Sequence, residues 1–123
     1  MLFRSHLIRS LRRAVEPTEA LITALRSAVQ AVGAAGGRIC RFGTDGEPIE
    51  IVAEGMATES DTLHADLQAG KSPARSETLE YRLLGLLSHQ QGKPNGALIL
   101  WRDLERPDWD RSEERRVGKE CRL

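Results

Sequence analysis

Thiol, imidazole and carboxylate groups are the side chains that could give this chain redox, metal or acid–base chemistry. Apart from Cys121 near the end of the chain, Cys40 is the only cysteine, and the histidines are His6, His64 and His89. A disulfide needs two thiols, and a metal site needs several ligands that converge at suitable spacing. One thiol and three scattered imidazoles meet neither requirement. We therefore interpret Cys40 as a small core residue and predict no metal site and no cofactor.

Acidic side chains gather near the end of the chain, where a carboxylate pair could do acid–base work. Asp103, Glu105, Asp108 and Asp110 follow an apolar run and lie in a polar connection, which is typical of a solvated surface. No glycine-rich loop leads from a strand into a helix, and no Gly-x-Ser-x-Gly elbow occurs. We therefore expect no catalytic residues, and a small enzyme is kept only as a third alternative.

Both ends of the chain look foreign to the rest. Residues 111–123 read RSEERRVGKECRL, and residues 2–5 read LFRS. Back-translated, the two segments resemble the opposite arms of a short-read sequencing adapter. We expect residues 1–5 and 111–123 to be adapter artefacts, which should be excluded before the fold is argued. The tail is charged and has no apolar stripe, so we predict that it is disordered.

The remaining stretch, residues 6–110, is long enough for one small domain and is mildly acidic. The whole chain has no formal net charge, and removing the two ends leaves about −3. A nucleic-acid module needs a basic stripe, so this balance argues against one. No apolar run approaches the roughly 20 residues that span a bilayer. A single cysteine fits a reducing compartment, and we predict a cytoplasmic protein without membrane contact.

Two helices are predicted before the first strand. Leu7, Leu11 and Val15 recur every four residues, which indicates a linker helix over residues 6–16. Pro17 suits the first turn of the next helix. One apolar face with a helical period then predicts a helix over residues 17–32; its members are Leu21, Leu25, Ala28, Val29 and Val32.

Two hairpins are predicted after that helix. Residues 38–42 and 49–55 alternate about an Asp45-Gly46 turn, and the charged second face places the later strand near an edge of the sheet. Residues 79–87 and 97–101 are more continuously apolar and flank a polar turn over residues 90–96. That pattern predicts a hairpin in the middle of the sheet, buried on both faces.

The region between the hairpins, residues 55–77, carries the weakest pattern. Ser60 or Asp61 could cap a short helix whose buried face is Leu63 and Leu67, ended by Gly70. Residues 71–76 are predicted to form a loop from their composition. Hairpins accompanied by helices imply an α+β fold, in which helices pack on an antiparallel sheet.

The order of these elements resembles the GAF domain, a small-molecule-sensing module of signalling proteins. The strongest likeness lies in Asn95, Gly96 and the apolar strand after them, followed by the approach Pro107-Asp108-Trp109-Asp110 to a final helix. The resemblance covers about residues 15–110 and implies an antiparallel sheet with helices on it. Residues 55–78 are short for the family, and the final helix is expected to be missing because the adapter begins there.

The resemblance implies a non-catalytic sensory domain of a bacterial signal-transduction protein. Its ligand would bind between the sheet and residues 55–77, and an output domain in the same parent chain would respond, such as a histidine kinase or a cyclic-dinucleotide enzyme. A homodimer through the terminal helices is expected. The candidate ligand-binding residues are His64, Tyr81, Leu83, Leu87 and Trp101. The alternative is a ligand-free dimerisation and linker domain, which the short region over the site would favour.

Overall fold

Apolar residues at helical spacing form the first helix, α1, which spans Thr18–Ala31. The structure, a computed structural model, describes residues 18–122. Leu21, Leu25 and Ala28 are buried, and Gly33 ends the segment with a φ of 64°. The predicted helix over residues 17–32 is therefore confirmed. The linker helix expected over residues 6–16 and the adapter segment 1–5 lie outside the described residues.

The predicted hairpins form the sheet. Strand β1 spans Gly36–Phe42 and pairs antiparallel with β2, Pro48–Glu54. Strand β4 spans Tyr81–Gln90 and pairs antiparallel with β5, Lys93–Asp103. With β3, Ala74–Glu77, the order of the five described strands is β2-β1-β5-β4-β3. The α+β antiparallel fold, the edge position of β2 and the central position of the second hairpin are confirmed.

The turn of the central hairpin is shorter than predicted. Gln91 and Gly92 have φ values of 54° and 79°, which is the geometry of a two-residue type I′ turn. Asn95 and Gly96 were placed at the end of the turn, but they lie within β5. A Cβ atom at Gly96 would collide with the carbonyl oxygen of Cys40 on β1. Gly96 therefore serves the close approach of two strands rather than a turn.

The segment over residues 71–76 was predicted as a loop, and this is wrong for its second half. Residues Ala74 to Glu77 pair with β4 at the edge of the sheet. Of these four, only Ala74 is buried, so the strand carries almost no apolar alternation. Short edge strands dominated by polar side chains are common because they discourage edge-to-edge association.

Helices cover both faces of the sheet. Helix α2 spans Asp61–Gln68, as predicted, and helix α3 spans Arg111–Arg122. Helices α1 and α3 share one core cluster with alternate residues of the central strands, and α2 shares a second cluster on the opposite face. No helix among residues 18–122 is long and apolar enough to span a bilayer.

The final helix corrects two predictions, because residues 111–122 are helical where disorder and a missing helix were expected. Asp110 Oδ1 accepts a hydrogen bond from the backbone N–H of Glu113 at 2.7 Å, and Glu113 Oε1 accepts one from the N–H of Asp110 at 3.1 Å. This reciprocal pair is a capping box. Val117 is buried beside Trp109. A cap, one apolar residue and ionic contacts to the sheet thus replace an extended apolar stripe.

Candidate functional site

Helix α2 lies on one face of the sheet because the sheet leaves room for it. Ser60, which caps the helix, accepts a hydrogen bond from the N–H of Leu63, and its hydroxyl lies 2.6 Å from that of Ser76 on β3. A Cβ atom at Gly85 on β4 would lie 3.0 Å from a methyl carbon of Leu67. The glycine therefore lets the helix sit directly on β4. We call the covered side of the sheet the α2 face.

The five residues predicted to bind a ligand all lie on the α2 face. Leu83, Leu87 and Trp101 are buried in the cluster that contains the apolar side chains of α2, and Tyr81 packs against that cluster. His64 lies on α2 itself and is half-buried. The three buried side chains fill the space between helix and sheet, whereas the imidazole reaches toward β1. Ligand binding by these residues remains a prediction.

Arg38 is the polar centre of this face, and the sequence reasoning missed it. Its side chain is only 7% exposed, and it lies on β1 between Ala53 and Ile99 of the neighbouring strands. Its Nη2 lies 2.6 Å from Nε2 of His64. The alternation of side chains along β1 could have indicated that Arg38 faces inward. Arg38 and Cys40 lie on one face of the strand, and Ile39 lies on the other.

The surroundings of His64 favour the neutral form of its imidazole. Burial, and then the positive charge of Arg38, lower the pKa of His64 from its ordinary value of 6.5, while Glu59 and Asp61 act in the opposite direction. A neutral imidazole whose proton is on Nδ1 presents a lone pair at Nε2. His64 can then accept a hydrogen bond from the guanidinium, which fixes both side chains.

The positive charge of Arg38 is compensated only from the rim of the site. Its Nη1 lies 3.4 Å from Glu59 Oε1 and 3.9 Å from Glu50 Oε1. The side chains of these two glutamates are 74% and 52% exposed. Ion pairs with such exposed partners are weak because water screens them. A buried cation without a close buried counter-charge is costly.

Two buried N–H groups on this face also lack acceptors. Neither Nε of Arg38 nor Nε1 of Trp101 finds a hydrogen-bond partner among the residues that the structure describes. The indole nitrogen lies over Gly36, where a Cβ atom would come within 2.6 Å of it. Gly36 and Arg38 are two residues apart on the same face of β1, so both donors lie on the same side of the sheet.

Cys40, the third inward residue of β1, is a core thiol. It is almost completely buried, and burial raises the pKa of Cys40, an effect that Arg38 partly offsets. A thiol with a raised pKa is a poor nucleophile at neutral pH. The interpretation of Cys40 as a core residue is therefore confirmed.

The remaining chemical candidates are dispersed. His89 is exposed near the end of β4, and His6 lies outside the described residues. The four clustered carboxylates are also exposed: Asp108 pairs with Arg75, and Asp110 caps α3. Between residues 18 and 122, no group of three or more His, Cys, Asp or Glu side chains could hold a metal ion.

Solved structures share this arrangement of sheet and helices. The GAF domain of an Acinetobacter phosphoenolpyruvate-protein phosphotransferase superposes with a TM-score of 0.71 at 12% identity, over 97% of this chain and 86% of that one. The chain has the GAF-domain fold. A GAF domain/HD domain protein from Geobacter sulfurreducens gives 0.67 at 13% identity, over 90% of each chain. The GAF domain of a protein assigned as a sensor histidine kinase in Pseudomonas syringae pv. tomato gives 0.59 at 16%, over 94% and 80%.

Sequence comparisons add no closer relative. No protein-family model matches the chain, and no curated protein matches it. Within the GAF fold, the likeness at such low identities concerns the course of the backbone. The chemistry of the site therefore depends on Arg38, His64 and Trp101 themselves.

Proposed function

We propose that this GAF-fold chain is a non-catalytic regulatory domain that senses a small molecule on the α2 face. Its parent protein would be a cytoplasmic signalling protein with an output domain in the same chain, such as a histidine kinase or a cyclic-dinucleotide cyclase or phosphodiesterase. Support comes from the similar domains, which belong to a phosphotransferase, an HD-domain protein and a protein assigned as a sensor kinase. We propose that this domain binds no nucleic acid and makes no contact with a membrane.

One observation carries the sensing proposal: buried hydrogen-bond donors without acceptors lie on the face of the sheet that a single short helix covers. Arg38 Nε and Trp101 Nε1 are both unpaired among residues 18–122, and the cover, α2, is eight residues long. Buried polar groups in folded proteins are normally paired, and an unpaired one destabilises the native state. A ligand that supplies acceptors would remove that cost and bind with the corresponding gain.

Signal transmission would follow from the position of α2 and of the terminal helices. A ligand shifts the equilibrium between two arrangements only by the difference in its affinity for them. Here a ligand at Arg38 would change the contact between β1 and His64 on α2. Helices α1 and α3, on the opposite face, would pair across a two-fold axis in a homodimer and carry the change to the output domain.

The second candidate is a ligand-free dimerisation and linker domain, and the apolar half of the α2 face favours it. Leu63, Leu67, Leu83 and Leu87 are buried against one another, and the close fit of α2 over Gly85 leaves no room for a ligand there. Only the half of the face near Arg38 and Trp101 then remains for binding.

A ligand screen on the complete chain separates these two functions. Binding of a small molecule would shift the indole N–H resonance of Trp101 in a ¹H–¹⁵N NMR spectrum, and Trp109, on the other face, is the internal control. Sensing predicts at least one compound that moves Trp101 and leaves Trp109 unchanged. If a chemically diverse library moves neither signal while sedimentation shows a stable dimer, the linker function is correct.

We also propose that residues 1–5 and 111–123 come from a sequencing adapter rather than from the natural gene. Reading the source DNA across both junctions tests this. A natural gene that continues after Asp110 with a different helix and an output domain would support the proposal and name the output. A gene that encodes the same residues 111–123 would contradict it.

A further inference from the structure

The α2 face carries one cation whose surroundings identify the chemistry of a ligand. Arginine is a cation that offers five N–H donors in a planar fork. In the described residues, Arg38 contacts one imidazole and two exposed carboxylates, and its Nε has no acceptor. Its hydrogen-bonding capacity therefore exceeds what the described residues supply, and an acceptor that carries negative charge would complete it.

We propose that Arg38 binds the carboxylate of a small organic acid, and that Glu59 occupies the same position as an internal competitor. This inference rests on the proposed sensory function and specifies its ligand. Glu59 Oε1 already places a carboxylate 3.4 Å from Nη1 of Arg38. Because 74% of the side chain is exposed, Glu59 can leave for water at little cost. A ligand carboxylate held by the fork would gain hydrogen bonds that are shorter and stronger.

Competition at Arg38 would couple ligand binding to α2. Glu59 directly precedes Ser60, which caps α2 and whose hydroxyl lies 2.6 Å from that of Ser76 on β3. Displacement of Glu59 would release the chain at the start of the helix, while Leu63 and Leu67 hold the rest of it on the sheet. The start of α2, rather than the whole helix, is then the element that responds.

A carboxylate fits this site better than a phosphate. Arg38 is the cation that contacts His64 among the described residues, and burial together with Arg38 lowers the pKa of His64, which favours the uncharged imidazole. Glu50, Glu59 and Asp61 surround the site with negative charge. A phosphate dianion would bring two negative charges to this acidic rim, whereas a carboxylate monoanion brings one and is repelled less. The free N–H of Trp101 can serve a second acceptor on the same ligand.

The test measures carboxylate binding in the complete chain and in two matched variants. The probes are acetate, benzoate and succinate, with chloride keeping the ionic strength constant, and the readout is the indole N–H resonance of Trp101. Glu59→Gln removes the competitor, and Glu47→Gln removes an exposed carboxylate in the β1–β2 turn. We expect Glu59→Gln to tighten binding of at least one carboxylate by roughly threefold to tenfold, as the loss of an exposed ion pair implies. Glu47→Gln should bind like the unmodified chain.

A second pair of variants tests the cation itself. Arg38→Lys keeps the charge but loses the fork, and it should weaken carboxylate binding. Arg38→Met should abolish it in a chain that still gives a dispersed NMR spectrum. If Arg38→Met does not fold, the comparison of Glu59→Gln with Glu47→Gln decides the question. Phosphate binding more tightly than every carboxylate, or equal affinity in those two variants, would overturn the inference.

Failure of the inference can be distinguished from failure of the sensory function. If no carboxylate binds at millimolar concentration to either the unmodified chain or Glu59→Gln, Arg38 is not a carboxylate site. A neutral compound that still moves the Trp101 resonance would then leave the sensory function intact. If no compound of any class moves that resonance, both proposals are wrong.

Discussion

Arg102 joins the sheet to both terminal helices, so its removal measures how firmly α3 is docked. Its side chain is 3% exposed, and Nη2 donates to the carbonyl of Val32 at 2.5 Å and to Glu113 Oε2 at 2.5 Å. Nη1 donates to the carbonyl of Pro107 at 3.2 Å, and the guanidinium carbon lies 3.9 Å from the centre of the Trp109 ring. Every one of these contacts belongs to the α1–α3 side of the sheet.

Replacement of Arg102 by methionine keeps the buried stem and removes the charge. Breaking a buried ion pair by removing one partner costs about 3–5 kcal/mol. The carboxylate of Glu113 is 18% exposed and can be partly rehydrated, so we expect a loss near the lower limit, about 3 kcal/mol. Domains of this size are stable by roughly 5–15 kcal/mol, and the variant should therefore fold with a clearly lower urea midpoint.

A double-mutant cycle isolates the contact with α3. Urea unfolding is measured for Arg102→Met, for Glu113→Gln and for the two combined. Hydrogen bonds to charged groups contribute about 1.5–3 kcal/mol, which is the coupling energy we expect. Arg115→Met, an exposed substitution on the same helix, should change stability by less than about 0.5 kcal/mol. A coupling energy below about 0.5 kcal/mol would show that α3 does not engage Arg102 in solution.

Three further predictions concern the sheet and the α2 face. Gly96→Ala should destabilise the fold by about 1–3 kcal/mol, because the new methyl group meets the backbone of β1 rather than a yielding side chain; unchanged thermal stability would refute this. The pKa of His64 is lowered in the native state, so between that value and 6.5 the unfolded chain binds more protons and stability should rise with pH. His64→Gln should flatten this part of the profile, and an identical profile would contradict the assignment. Cys40, whose pKa is raised by burial, should react with a thiol reagent only as fast as the protein opens. In a Cys121→Ser background, rapid labelling under native conditions would contradict its burial.

The elements that the sequence predicts correctly are those in which every local signal agrees. The apolar period of α1 and the glycine that ends it point to the same boundary. The alternation of β1 and β2 also agrees with their Asp-Gly turn. Ser60, Leu63 and Leu67 together specify α2. In each case one short window contains both the pattern and its stop signal, which is why no knowledge of the partner surface was needed.

The errors arise where a distant surface decides the local structure. Strand β3 exists because β4 offers a free edge, and its own residues are mostly polar. Gly96 is required by the backbone of β1, more than fifty residues earlier in the chain. Among residues 111–117 of helix α3, Val117 is the one buried apolar residue, and the helix also contacts Arg102 of the central strand. A short stretch of sequence does not contain these distant partners, so local sequence patterns could not reveal the contacts that determine these elements.

The candidate site was predicted only in part, because the burial of its polar residue also depends on a distant part of the chain. The hydrophobic residues of the α2 face could be chosen because apolar strands must bury both faces. Arg38 was missed because a charged residue in an edge hairpin normally faces water. Its burial depends on α2, whose His64 closes over it. The buried cation that sets this face apart from an ordinary core is thus a feature that only the assembled fold displays.

The order of the strands also determines how the chain can be made. Strand β1 lies between its hairpin partner β2 and the last strand, β5, so that Gly36 pairs with Trp101. On the ribosome, β1 and β2 emerge long before β5, and one edge of β1 stays open throughout that interval. Pairing across such a sequence separation is slow, because a long loop must close before any contact rewards it. We expect β5 insertion to limit refolding, so that Leu98→Ala slows folding while Leu63→Ala chiefly speeds unfolding in stopped-flow experiments. The folding intermediate in which β5 has not yet paired with β1 would then be the species that a chaperone must bind.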